Sequence, residues 1–162
     1  MNMGDIVRLR WNNISAETIV FEREKTKRTK RGSPVKIVAL RNDQINAIIE
    51  KWGKKKDGNS TNFVFNIIEE FDSSERARKK IQQFIHVTND WMKKVGEELG
   101  FELKLTTYVA RHSFATILVR SGAPIALASQ TLGHSNILTT QKYFAGFDLA
   151  AQAEYTKALT KF

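Results

Sequence analysis

The chain has 162 residues, 41% of them hydrophobic, with no cysteine and a formal net charge of +9. That length and apolar content suit one domain with a real core, and the lack of cysteine excludes disulfides and thiolate metal sites. The positive balance points to a polyanionic partner, a solvated basic protein being the competing reading of charge alone.

In chain order, Met1 to Asn13 reads as the tail of a helix, with Met3, Ile6, Val7 and Trp11 able to share a face. Thr18 to Glu24 alternates Ile19, Phe21 and Arg23 against Thr18, Val20 and Glu22, and Pro34 to Leu40 alternates similarly. Both are expected as strands of an antiparallel hairpin. Between them KTKRTKRGS, Lys25 to Ser33, is nearly all positive. A basic hairpin tip suits contact with a DNA backbone, through Lys27, Arg28, Lys30 and Arg31, the alternative being a turn kept polar for solubility. Asn42 to Trp52 is a short amphipathic helix with Ile45, Ile48, Ile49 and Trp52 on one side. Gly53 to Thr61 is a charged loop, and Phe63 to Phe65 a brief buried stretch. Ser73 or Ser74 caps a long helix to about Leu99, its apolar stripe running Ala77, Ile81, Phe84, Ile85, Thr88, Trp91, Met92 and Val95. Trp91 is expected in the core and His86 at the surface or its boundary. The basic run Arg76, Arg78, Lys79, Lys80 either touches DNA or faces water. No apolar run is long enough to cross a bilayer and no signal peptide is visible, so a cytoplasmic protein is the default. His86, His112 and His134 are too scattered for an obvious metal site.

The stretch Leu105 to Phe147 carries the chemistry. Thr106 or Thr107 can cap a helix that Gly122 stops, with Ala110, Phe114, Ile117 and Leu118 as its expected buried face. Pro124 fits the first turn of a second helix, Pro124 to Leu132, which Gly133 ends. Ser135 caps a short third helix carrying Thr140 and Tyr143. Two tight helix junctions would then bring Arg111, His134 and Tyr143 to one phosphodiester. Phe147 to Phe162 gives a last amphipathic helix, with Leu149, Ala150, Ala153, Ala158 and Leu159.

ARHSFAT followed by LGHSNILTTQKYF resembles the signature of the tyrosine recombinases, the phage-integrase family. Arg111, His134 and Tyr143 fall on the arginine, L-G-H histidine and tyrosine positions with that family's spacing. The resemblance implies a mainly α fold with a small antiparallel β-hairpin (α+β), and residues 1–162 as one catalytic domain, the family's N-terminal DNA-binding domain being absent. It implies a site-specific recombinase or integrase of a mobile element, in which the Tyr143 phenolate attacks a DNA phosphate to leave a 3'-phosphotyrosine and a free 5'-hydroxyl. Arg111 would hold the non-bridging oxygens, and His134 would donate to them or orient Tyr143. A hairpin lysine would protonate the leaving oxygen; Lys25 matches best, with Lys27 and Lys30 as rivals. Two positions depart from the pattern. Tyr108 stands where the family has histidine and is expected as a phosphate ligand. Asn2 stands where it has a first arginine, with Asp5 matching the acidic residue that follows. Implied partners are double-stranded DNA and further copies of the chain, as a tetramer on DNA, in the bacterial cytoplasm at the nucleoid, with no cofactor, metal or membrane. The last helix would dock on a neighbouring subunit or cover its own core. Topoisomerase IB-like relaxation and an inactive DNA-binding remnant are the competing readings.

Overall fold

The computed structural model describes residues 1–23, 36–134 and 137–141, with backbone alone for Thr139. Its elements are α1 (Met3–Val7), a 3-10 turn (Trp11–Asn13), β1 (Thr18–Glu22), β2 (Lys36–Leu40), α2 (Asp43–Trp52), α3 (Ser74–Glu98), α4 (Thr107–Arg120), α5 (Ile125–Leu132) and α6 (Ile137–Gln141). Helices dominate, and the two strands pair antiparallel with Phe21 opposite Ile37, so the mainly α class with a small hairpin holds. The basic tip Lys25 to Ser33, with Lys25, Lys27, Arg28, Lys30 and Arg31, lies outside the described residues. So do Ser135, Tyr143 and the helix expected over Phe147 to Phe162.

Local chemistry sets the helix ends. Asn42, Ser73 and Thr106 each accept a backbone N–H three residues on, from Ile45 at 2.9 Å, Arg76 at 3.2 Å and Val109 at 3.3 Å. The strand alternation works as read: Ile19 and Phe21 are buried, and with Leu9, Ile37, Ile49 and Val64 they form one core cluster. Val7, Ile68 and Ile81 form a second, beneath α1 and α3. Each fully buried side chain of this kind contributes about 1.5–3 kcal/mol.

Three expectations need correction. The first helix ends at Val7 rather than continuing to Asn13, because Leu9 to Trp11 pair with a distant segment instead. Val64 N–H donates to Leu9 O at 2.8 Å, and Trp11 N–H donates to Asn62 O at 3.1 Å. On α4 the packed side is that of Arg111 and Ala115, not that of Ala110, Phe114 and Ile117; Ala115 is fully buried while Phe114 and Ile117 are exposed. Trp91, expected in the core, is 63% exposed, with the Lys94 ammonium 4.8 Å from its ring centre.

The basic run at the start of α3 is largely paired within the protein. Arg76 and Lys80 both meet Asp72, at 3.1 and 2.8 Å, and Lys79 meets Glu75 at 2.8 Å. Asp72 is the hub: its buried carboxylate also accepts the Glu69 N–H at 2.8 Å. The Lys80 hydrogen bond holds the Asp72 carboxyl below its ordinary 3.8, against the opposing effect of burial. A carboxyl depressed in the folded state contributes stability that is present above 3.8 and is lost as pH falls through the lower folded value. Asp72→Asn is therefore expected to unfold at lower urea than the parent at pH 7, with the gap closing below pH 3.8. An equal gap at pH 7 and pH 3 would assign the loss to packing instead.

Candidate active site

The site begins at the C-terminal end of α5. Gly133 takes the left-handed conformation, at φ 65°, that lets the helix stop abruptly. His134 N–H donates back to Ser129 O and Gly133 N–H to Gln130 O, each at 2.9 Å. This closing motif leaves the Leu132 and Gly133 carbonyls pointing out of the negative end of the helix. Two guanidiniums meet them: Arg111, from the packed face of α4, donates to Leu132 O, and Arg23, just past β1, donates to Gly133 O at 2.8 Å. Consecutive carbonyls are thus held by cations from two different elements.

His134 sits between these charges. Its Nε2 lies 3.4 Å from Arg111 Nη2, and its Nδ1 lies 2.8 Å from Thr140 Oγ1, which is fully buried on α6. A guanidinium has only donors, so Nε2 turns its lone pair to Arg111, and Nδ1 carries the proton and donates to Thr140. Burial first, then the Arg111 and Arg23 charges, push the His134 imidazolium from 6.5 down to about 4, so the ring is neutral at pH 7. The N-terminal end of α1 closes the other side. The Met1 amino group is pushed below 8.0 by burial first and then by Arg111, with a smaller lowering from Arg23; Asp5 opposes them. Asn2, the N-cap of α1, therefore adjoins the cluster but brings no charge.

Among the residues singled out in the sequence, the structure brings Arg111 and His134 together. Tyr108 occupies the first turn of α4, 60% exposed, with its ring edge-on to His112 at 4.2 Å between centroids. The hairpin lysines and Tyr143 lie outside the described residues. Thr140 was visible only as a residue of the third helix, and its contact with His134 depends on how that helix folds back. Arg23 was not singled out, yet its signal was present: it has the inward parity of Ile19 and Phe21, an unusual place for a cation unless it has a partner inside. A second polar cleft of about 680 Å³ is lined by none of Arg23, Arg111 and His134; its five carboxylates, Asp5, Glu22, Glu69, Glu70 and Asp72, outnumber its three cations, Arg8, Arg10 and Lys36. That net negative balance disfavours a phosphate, so the cation cluster is the better seat for one.

A helical domain with one hairpin, gathering an arginine and a histidine at a helix C-terminus, has the fold of recombinase catalytic domains. The crystal structure of the XerA recombinase superposes with a TM-score of 0.60 at 20% identity, over 99% of this chain and 54% of that one. The Tn1549 transposon integrase in complex with circular intermediate DNA superposes at 0.60 with 16% identity, over 98% of this chain and 56% of that one. The pattern of the phage integrase family matches residues 1–148, and the chain belongs to that family. In sequence it is 33% identical over 98 residues to the tyrosine recombinase XerC of Leptospira interrogans serogroup Icterohaemorrhagiae serovar copenhageni, a match covering 60% of this chain and 30% of that protein. The chain thus spans about half the length of the solved structures it resembles, 54% and 56% in the two cases.

Proposed function

We propose that this chain is the catalytic domain of a site-specific DNA recombinase, the integrase of a mobile element, which cleaves and rejoins strands through a 3'-phosphotyrosine. The observation that carries this reading is the Arg111–His134–Thr140 cluster at the meeting point of α4, α5 and α6. Two peptide units separate Tyr143 from Gln141, and two separate Lys25 from Arg23. Each spans about 7 Å at most, so both chain segments that leave the cluster carry a reactive group within its reach.

In this mechanism the Tyr143 oxygen attacks phosphorus, and the bond from phosphorus to the 5'-oxygen breaks. The tyrosine proton leaves to a base, and the departing 5'-oxygen takes a proton from Lys25, Lys27 and Lys30 being the alternatives. Negative charge builds on the non-bridging oxygens, where Arg111 offers two parallel N–H donors. When Arg111 turns an Nη2–H from His134 Nε2 to the phosphate, the freed Nε2 lone pair of the neutral ring takes the tyrosine proton; as imidazolium it donates to the phosphate, whose own charge favours that form. A second 5'-hydroxyl reverses the step on a new strand. The two transfers are nearly isoenergetic, so the covalent intermediate stores the bond energy without ATP. Tyr108, three residues before Arg111 on α4, is the phosphate ligand where other members have histidine; at an ordinary pKa of about 10 it donates a hydrogen bond rather than shuttling a proton. The basic tip with Lys27, Arg28, Lys30 and Arg31 would contact the DNA backbone. The working unit would be a homo-oligomer, a tetramer, on double-stranded DNA at the bacterial nucleoid. Residues 1–162 form one catalytic domain in this reading.

The test is a nicked suicide duplex of the cognate site, incubated with the protein. A protein–DNA adduct that survives denaturant, mapped by mass spectrometry to the peptide bearing Tyr143, is expected. The uncharged Asn2 favours a second reading, a DNA-binding remnant, and absence of any adduct decides for it. Recombination of two marked sites, rather than relaxation alone, separates the integrase from a topoisomerase.

A further inference from the structure

We propose that Arg23 is a positioning residue for His134: with Arg111 it clamps consecutive carbonyls, Gly133 O and Leu132 O, fixes the turn that presents the imidazole, and sets a second guanidinium beside the phosphate seat where Asn2 offers no charge. The inference rests on the proposed strand-transfer reading for its catalytic part and on geometry for the rest. Arg23 lies at the inward parity of β1 and donates to Gly133 O at 2.8 Å, from 110 residues away in sequence. A methyl group added at Gly133 would collide with the Arg23 Cδ and with Ile37 Cδ1, so the arginine's stem packs directly on the backbone of the turn.

The charged groups that face this corner come from every neighbouring element. Arg111 comes from α4, and Arg23 follows β1. Just ahead of α1 the Met1 amino group faces Arg111 and Arg23, with Asp5 of α1 opposing them. α6 presents the Thr140 hydroxyl, and β2 presents the apolar Ile37. Two positive charges near an imidazole disfavour its protonation, and both Arg111 and Arg23 act on His134 in that direction. The competing view is that Arg23 merely caps a helix C-terminus, as basic side chains commonly do. The two views differ in what happens to the imidazole when the charge is removed.

The experiment follows the imidazole signals of the full chain by NMR across pH, in the parent, Arg23→Met and Arg23→Lys. The parent has three histidines, and His86 and His112 report that each variant is folded. The His134 midpoint is expected near 4 in the parent, to rise in Arg23→Met by a part of the shift, since burial and Arg111 remain, and to stay low in Arg23→Lys. Sign and window agree: loss of a cation makes the imidazolium easier to form, so the neutral ring is confined to higher pH. In single-turnover cleavage of the suicide duplex, the acid limb should move up in Arg23→Met and return in Arg23→Lys. A midpoint unchanged in Arg23→Met, with stability alone reduced, overturns the proposal in favour of a plain helix cap. Equal midpoints for the Met and Lys variants overturn it too, since charge would then not be the agent. If the parent itself forms no adduct, the strand-transfer reading fails while the titration still decides the role of Arg23.

Discussion

Arg111→Ala is expected to slow single-turnover cleavage of the suicide duplex by roughly 100- to 1000-fold, the usual effect of removing one preorganised donor from a developing oxyanion, about 3–4 kcal/mol of barrier. The loss has to be separated from unfolding, because Arg111 also ties α4 to α5 through Leu132 O. Magnitudes decide the matter. A hydrogen bond involving a charged group contributes about 1.5–3 kcal/mol, whereas a domain of this size is stable by roughly 5–15 kcal/mol. The variant therefore stays folded under assay conditions, and lost structure cannot supply a hundredfold effect on rate. Arg111→Lys sharpens the test. It keeps the charge but loses the planar fork that meets two oxygens at once, so its rate should fall between parent and alanine. A loss below tenfold for Arg111→Ala, measured on protein shown to be folded, would remove Arg111 from the chemistry.

What sequence showed and what it hid follow one division. Features fixed by a residue and its near neighbours were legible: the caps at Asn42, Ser73 and Thr106, the stop at Gly133, and the inward alternation of Ile19 and Phe21. Features fixed by a distant partner were not. Met3, Ile6, Val7 and Trp11 kept a helical spacing to Asn13, but Trp11 N–H is taken by Asn62 O, and nothing local to Trp11 announces that bond. On α4 the apolar Phe114 and Ile117 drew the expected buried face toward themselves. The fold instead packs the face of Arg111 and Ala115, where Ala115 is buried and Arg111 donates to Leu132 O of α5. The same division runs through the site. Arg111 and His134 stood out by their motifs, while Arg23 and Thr140 join them only through tertiary contacts. Arg23 shows the cost of reading strand alternation as packing alone, since a cation at an inward position is itself a signal of something to be held.

Gly133→Ala should be the most destabilising single-methyl change in this part of the chain, and Gly122→Ala is its natural control. Both glycines have positive φ, 65° at Gly133 and 85° at Gly122, so in both an alanine carries the left-handed penalty of about 1–2 kcal/mol. At Gly122 an added Cβ meets nothing within 4 Å. At Gly133 it runs into the Ile37 and Arg23 side chains, and overpacking of this kind typically costs a further 1–3 kcal/mol or so. The expected losses are therefore about 1–2 kcal/mol for Gly122→Ala and about 2–5 kcal/mol for Gly133→Ala, read from urea unfolding midpoints at constant slope. The difference between the two variants isolates the packing against the turn from the conformational penalty they share. The collision also has a functional direction. Relieving it means moving Ile37 and Arg23 away from α5 or letting the turn shift, and either change disturbs the carbonyl that Arg23 holds and the imidazole one residue on. Gly133→Ala should for that reason lose cleavage even under conditions where it is fully folded, whereas Gly122→Ala, ten residues or more from Arg111 and His134 in chain order, should keep it. Equal destabilisation of the two variants would mean that the turn has room to spare, and that Arg23 and the backbone of Gly133 are not in the close contact from which the geometry of the site follows.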